Sequence, residues 1–140
     1  MAKERVERFG VSLSPRLLEK FDEVIREKGY TNRSEAIRDL MRDFIVSSEW
    51  EKDGDVVGAL TLVYDHHVRG VTDKLTALQH EHHTNVVSGM HVHLDEHNCM
   101  EFLVLRGPAK EVRRVADSLI SARGVKHGKL VSSTIGKDVC

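Results

Sequence analysis

Residues 8–13 read Arg8-Phe9-Gly10-Val11-Ser12-Leu13, and Ser14-Pro15 follow at once. Phe9, Val11 and Leu13 alternate with Arg8, Gly10 and Ser12, the period-two signature of a strand with one buried face. Ser14 is a favoured N-cap and Pro15 suits a first helical position, so a helix starts where the strand ends. Leu17, Leu18, Phe21, Val24 and Ile25 keep helical spacing until Gly29 supplies the stop. A second helix opens at Asn32, with Glu35 three residues on as its capping-box partner. Its apolar positions, Ala36, Ile37, Leu40, Met41, Phe44 and Ile45, form one broad face.

Such a βαα unit cannot close alone, because a single short strand leaves its backbone groups unpaired and the unit buries too little surface. The economical solution is an intertwined two-fold dimer in which each strand pairs with its copy and four helices close the core. The resulting two-stranded ribbon turns Arg8, Gly10 and Ser12 of both chains outward, and a ribbon of that width fits the DNA major groove. A plain dimerisation module whose polar strand face meets only water is the alternative.

Charge does not decide between them. The whole chain of 140 residues carries a formal net charge of −1, which withholds the usual footprint of a nucleic-acid binder. Residues 1–47 hold ten Lys or Arg against nine Asp or Glu. Placement is more informative. Lys3, Arg5 and Arg8 sit in the arm and first strand, and Asn32 and Arg33 stand at the start of the second helix, where orphan amides favour phosphate.

A polar stretch, Ser47 to Asp55, reads as helix end and linker, so 1–48 is expected as one domain, 49–54 as linker and 55–140 as a second domain. Beyond the linker the pattern is βαββαβ. Strands are expected at 56–64, 85–94, 98–106 and about 125–134. Helices are expected from Val68 to about His82, with Val71, Leu75 and Leu78 inward, and from Pro108 to Arg123, with Val112, Val115, Ala116, Leu119 and Ile120 inward. This order suggests a ferredoxin-like sandwich with both helices on one face of an antiparallel sheet. The fold class expected for the chain is therefore α+β.

Composition excludes several classes. There is no apolar run of membrane-spanning length and no signal peptide at the start, and two cysteines cannot make a disulfide framework, so a cytoplasmic protein without membrane contact is expected. No Gly-rich phosphate loop, HExxH or nucleophile elbow is present, so no enzyme is expected. The unusual count is nine histidines against four Phe, two Tyr and one Trp. All but His127 lie between residues 66 and 97.

The sharpest pattern among them is His91-Val92-His93-Leu94-Asp95-Glu96-His97-Asn98-Cys99. On a strand, residues two apart share a face at about 7 Å, so His91 and His93 converge. The turn at Asp95-Glu96-His97 returns the next strand, which carries Cys99 toward the same point. Two imidazoles and a thiolate suit nickel, copper, zinc or cobalt, and suit magnesium or calcium poorly. Two half-buried strand histidines beside a core cysteine would give the same pattern without a metal. A fourth donor is missing from the hairpin. His80 lies about 140° from Leu75 around the helix, off the apolar stripe, so it is either solvated or placed to serve a site on another chain. His66 and His67 are weaker candidates. They, with His82, His83, His97 and His127, are left as accessory groups.

Taken together, Arg8 through Leu13, Tyr30-Thr31-Asn32-Arg33-Ser34-Glu35-Ala36-Ile37-Arg38-Asp39, Gln79-His80, His91-Val92-His93, Cys99 and Arg123-Gly124-Val125-Lys126-His127-Gly128 resemble the nickel-responsive transcriptional regulators of the NikR type, over essentially the whole chain. The resemblance implies a ribbon-helix-helix dimer followed by an ACT-type ferredoxin-like domain, assembled as a homotetramer, a dimer of dimers. It implies one Ni²⁺ per subunit in a square-planar site made by His91, His93 and Cys99 of one chain and His80 of another. Tyr64 and Glu101, and more weakly Gln79, match family positions that orient those imidazoles. Glu35 and Asp39, with backbone carbonyls of Ile120, Ala122 and Val125, match a weaker cation site between the domains.

Double-stranded operator DNA is the partner implied, read through Arg8, Gly10 and Ser12. Gly10 departs from the family pattern, since one reading side chain is absent there, and the arm 1–7 is an expected source of phosphate contacts instead. The function expected is a nickel-dependent repressor. A zinc- or copper-binding sensor or buffering protein and an ACT-type regulator sensing a small molecule are the rivals.

Overall fold

A computed structural model describes residues 4–140; the expected phosphate contacts of Met1, Ala2 and Lys3 lie outside the described residues. The element order is α1 (Pro15–Glu27), α2 (Arg33–Glu51), β1 (Asp55–Asp65), α3 (Val71–Glu81), β2 (Val86–His93), β3 (Asn98–Pro108), α4 (Ala109–Ile120) and β4 (Val125–Ser133). Contacts divide the chain into two compact units between Met41 and Arg42, a division that α2 straddles.

In the first unit the capping signals act as their chemistry requires. The Ser14 side chain accepts from the Leu17 amide at 3.3 Å, satisfying one of the orphan donors of α1. Gly29 adopts φ +86°, and the amides of Gly29 and Tyr30 donate back to the carbonyls of Arg26 and Ile25, closing α1 with a Schellman motif. The Asn32 side chain caps α2 by accepting from the Glu35 amide at 2.9 Å. The reciprocal half of the expected capping box differs, because the Glu35 carboxylate accepts from the Thr31 hydroxyl.

Residues 4–14 make no helix or sheet ladder within the single chain. Phe9, Val11 and Leu13 are 68%, 63% and 40% exposed, an apolar row left uncovered among the described residues. A strand needs a ladder partner, and among the described residues this segment has none.

In the second unit the sheet order is β2-β3-β1-β4, antiparallel throughout, as the βαββαβ pattern leads one to expect. Strand β1 alternates strictly between buried and half-buried positions. Its inward residues Val56, Leu60, Leu62 and Tyr64 join Leu103 and Leu105 of β3, Val71, Leu75 and Leu78 of α3, and Val112, Val115, Ala116 and Leu119 of α4 in one core. The opposite face of the sheet carries Val57, Ala59, Val63, Met100, Phe102 and Val104, with Met90, Val92 and Val131 on its flanking strands 59%, 40% and 54% exposed.

The expected linker at 49–54 is corrected by the structure. Helix α2 continues to Glu51, and Trp50 is 2% exposed within the core, its indole N–H donating to the Ser133 carbonyl at 2.8 Å. Gly58 opposite makes room for that ring, since a Cβ there would lie 3.3 Å from the indole and 2.8 Å from Leu130. The Asp53 carboxylate accepts from the Lys110 amide at 2.7 Å, giving α4 the cap that Pro108 cannot provide, and the Gly54 carbonyl accepts from Ala109. Polar composition suggested a tether, but these polar groups have fixed partners far along the chain.

Candidate metal centre

Sheet register assembles the centre. Tyr64 of β1 stands opposite Cys99 of β3, and Cys99 stands opposite His93 of β2, so the three form one row across the sheet. One rung on, Glu101 stands opposite His91. The turn between β2 and β3 holds this register. The Asp95 carboxylate accepts from the His97 amide at 2.8 Å and from the Asn98 amide at 2.7 Å, and also from the Asn98 side chain. The Lys126 ammonium from β4 donates in turn to the Asn98 side-chain oxygen at 2.7 Å.

The Asn98 side chain and then the two backbone amides hold the Asp95 carboxyl down at about 2. A depressed folded value means that the turn's contribution is complete above the unfolded aspartate range near pH 4 and is lost as pH falls through about 2. Carbon-detected NMR titration is expected to place the Asp95 midpoint near 2. A midpoint near the unperturbed value of about 4 would contradict this account of the turn.

Cys99 is fully buried, and its sulfur lies 3.4 Å from Nδ1 of His93. The ring centroids of His91 and His93 are 5.1 Å apart, as expected for neighbours on one strand face. Nδ1 of His91 lies 3.2 Å from the Tyr64 hydroxyl, which also lies 3.3 Å from Oε2 of Glu101. Burial, reinforced by the nearby Glu101 and Cys99, pushes the Tyr64 hydroxyl well above the usual phenol range, so it remains protonated. When its hydrogen is donated to Glu101, the contact to His91 is a hydrogen bond only with Nδ1–H donating. That tautomer leaves Nε2 of His91 free for a ligand. The other Glu101 oxygen accepts from the Gln79 side chain at 2.9 Å, which ties α3 to the same carboxylate.

The residues expected as ligands thus divide. His93 and Cys99 meet directly, and His91 adjoins them under the control of Tyr64, Glu101 and Gln79. His80 is exposed near the end of α3, outside the group that the chain gathers around Cys99 among the described residues. His66, expected only as an accessory group, has its Nδ1 3.2 Å from the Cys99 sulfur, and His66, His93 and Cys99 form a cluster that could hold a metal ion. Parity could have found it. The inward residues of β1 are even-numbered, Tyr64 faces Cys99, and residue 66 continues that face.

The remaining candidates lie in the first unit or outside this cluster. Arg8, Gly10 and Ser12 are exposed. Asn32 is committed to capping α2, and the Arg33 guanidinium forms a bidentate pair with Asp22 at 2.8 and 2.7 Å, so any phosphate must compete with that carboxylate. Glu35 and Asp39 accept from Thr31 and from the Tyr30 hydroxyl. In the other unit, the Ala122 carbonyl accepts from the Val125 amide.

Residues 57–133 match the family described as NikR C terminal nickel binding domain, and residues 7–46 match that described as ribbon-helix-helix protein, copG family. The chain is 60% identical over 133 residues to a protein of Geobacter sulfurreducens, covering 94% of this chain and 96% of that one. It is 56% identical over 137 residues to a protein of Caldanaerobacter subterraneus, covering 97% and 89%. A Pyrococcus furiosus protein is 55% identical over 133 residues, covering 94% and 96%. The names of all three carry the words nickel-responsive regulator. The solved structure of an uncharacterized Thermotoga maritima protein, 19% identical, aligns with a TM-score of 0.50 over 56% of this chain and 96% of its own, a likeness of fold alone.

Proposed function

The chain belongs to the NikR family of nickel-responsive regulators, and from that premise we propose that it represses transcription by binding operator DNA when Ni²⁺ joins its subunits. The donor set tests well against the metal. A buried sulfur and an imidazole nitrogen 3.4 Å apart, with a second imidazole whose Nδ1 lies 3.2 Å from the Tyr64 hydroxyl, are borderline-soft ligands. His91, His93 and Cys99 of one chain would hold the ion together with His80 of another. Bound there, Ni²⁺ supplies a cross-link between chains, one ion per subunit.

The observation that carries the proposal is the Gln79–Glu101 bond. Glu101 orients His91 through Tyr64 with one oxygen and holds α3 beside His80 with the other. One carboxylate therefore couples the position of α3 to the state of the ligand set. Capture of His80 by another chain's donors fixes α3, and assembly and metal occupancy then depend on each other.

Two uncovered apolar surfaces support a dimer of dimers. One is the Phe9, Val11 and Leu13 row, which suits pairing with a copy through a ribbon; the other is the open sheet face with Met90, Val92 and Val131. Arg8 and Ser12 are the side chains offered to base edges, with Gly10 leaving a gap between them. Glu35 and Asp39 are proposed as carboxylate donors to a weaker cation site. Among the described residues no helix is long and apolar enough to cross a membrane.

Operator selection run in parallel with nickel, zinc and a chelator tests the reading. A discrete DNA sequence is expected to be enriched with nickel and not with the chelator. Enrichment of no sequence under any metal would favour a buffering protein, and enrichment indifferent to metal would favour a different effector. Tyr64→Phe removes the hydroxyl between His91 and Glu101 while keeping the buried ring. It is expected to weaken nickel binding about 10–100-fold in chelator competition with the fold intact. Unchanged affinity would mean that the hydroxyl does not hold His91.

A further inference from the structure

We propose that Asn85 and Glu111 are the positioning pair through which capture of His80 by another chain's metal site is transmitted to the first turn of α4 and the end of α2. The proposal rests on the cross-chain role given to His80 above; the contacts that carry it belong to one unit of one chain.

Asn85 lies between α3 and β2 and is 8% exposed, the one charged or amide residue buried among the described residues. A buried amide has to be satisfied, and this one is used on every side. Its backbone N–H donates to the His82 carbonyl at 2.9 Å, closing the turn after α3. Its carbonyl accepts from the Arg106 amide at 2.8 Å, one residue beyond the β2–β3 pair of Val86 with Leu105. Its side-chain Nδ2 donates to the Arg106 carbonyl and to Oε2 of Glu111, each at 3.1 Å. Both partners are acceptors, which fixes the amide's orientation, and the carboxylate makes the second bond charge-assisted. Gly107 leaves room for the arrangement: its φ is +144°, and a Cβ there would lie 2.6 Å from Nδ2.

Glu111 stands in the first turn of α4, and the same stretch is bound to the end of α2. The Ala109 amide donates to the Gly54 carbonyl at 3.0 Å, and the Lys110 amide donates to the Asp53 carboxylate at 2.7 Å. The Arg113 guanidinium lies 5.3 Å from the centroid of the Trp50 ring. Residues 109–113 therefore meet Asn85 on one side and Trp50, Asp53 and Gly54 on the other.

His80 sits between two anchors. Gln79 is held by Glu101 at 2.9 Å, and the backbone beyond His80 is held by Asn85. The His80 carbonyl accepts from the His83 amide and the His82 carbonyl from the Asn85 amide, so hydrogen bonds follow the chain from the donor to the anchor. Closely packed elements shift as bodies rather than deform continuously. When His80 is fixed by another chain, a shift at the end of α3 either strips a buried amide of its partners or carries Glu111 with it. The first alternative leaves a buried donor unpaired and is costly. The shift is therefore passed to α4 and, through Asp53 and Trp50, to the end of α2. That helix straddles the division between the two units, so its end is the covalent route toward Arg8 and Ser12.

The test compares the full-length wild-type chain with Glu111→Ala, which removes the acceptor on α4, and Glu111→Gln, which keeps an acceptor oxygen. Hydrogen exchange of the amides of residues 109–113 is followed by mass spectrometry with Ni²⁺ and with a chelator. Nickel is expected to slow exchange there in the wild type and in Glu111→Gln, and to leave it unchanged in Glu111→Ala. On the DNA sequence enriched by the selection described above, the factor by which nickel tightens binding is expected to fall at least about threefold in Glu111→Ala and to recover in Glu111→Gln. Asn85→Ala cuts the bridge from the other side and is expected to match Glu111→Ala in both readouts. A merely structural role would lower the melting temperature and leave these nickel-dependent differences in place, which would overturn the proposal. So would the absence of a nickel response at residues 109–113 in the wild type. Nickel-indifferent DNA binding by the wild type would instead overturn the function proposed above, and the exchange measurement then decides the role of the pair by itself.

Discussion

Cys99→Ala is expected to abolish the thiolate-to-nickel charge-transfer absorption and to lower nickel affinity by at least about two orders of magnitude, since changing even the groups that orient a ligand costs about 10–100-fold. Cys99 supplies the one sulfur in the cluster and is fully buried between Tyr64 and His93 in sheet register. Loss of the sulfur leaves a small cavity, and a truncation of this size costs on the order of 1 kcal/mol, which the core tolerates. The variant should therefore remain folded and assembled while nickel-dependent DNA binding disappears. A nickel spectrum unchanged by the substitution would exclude Cys99 as a ligand and with it the ligand set.

The largest effect on stability is expected from Trp50→Ala. The ring is 2% exposed, packs beside Gly58, carries the Arg113 guanidinium 5.3 Å from its centroid, and donates its N–H to the Ser133 carbonyl. Truncation of a buried Trp costs about 3–5 kcal/mol. At about 4–8 °C per kcal/mol for a domain of this size, the melting temperature should fall by more than about 12 °C. Trp50→Phe keeps much of the packing and removes the donor; because Ser133 is exposed and its carbonyl can turn to water, the hydrogen-bond part is worth about 1 kcal/mol. Calorimetry on both variants separates packing from hydrogen bonding. A melting temperature unmoved by Trp50→Ala would return residues 49–54 to the status of a tether.

The elements legible in the sequence were those set by local periodicity and capping. Val71, Leu75 and Leu78 on α3, Val112, Val115, Ala116 and Leu119 on α4, and the Ser14, Gly29 and Asn32 signals all act where spacing and side-chain chemistry put them. The His91–Cys99 hairpin was equally legible, because strand alternation and a short turn suffice to bring His93 to Cys99.

What escaped were partners distant in sequence. Trp50 sits in a polar run whose burial depends on Ser133 and Gly58, and Asp53 caps a helix that starts beyond Pro108. Arg33 looked free for phosphate until α1 brought Asp22 beside it. His66 reaches Cys99 only through the β1–β3 register, which periodicity within either strand does not fix. The first strand is a different case. Its alternation is plain, but residues 4–14 form no ladder among the described residues.

Under the proposed function, metal occupancy and DNA binding stabilise one arrangement of the chains. Reciprocal titration tests it most directly: operator affinity measured with nickel and with a chelator, and nickel affinity measured with and without operator DNA. Linkage predicts that each ligand tightens the other by the same factor. Equal operator affinity with nickel and with chelator would contradict the account.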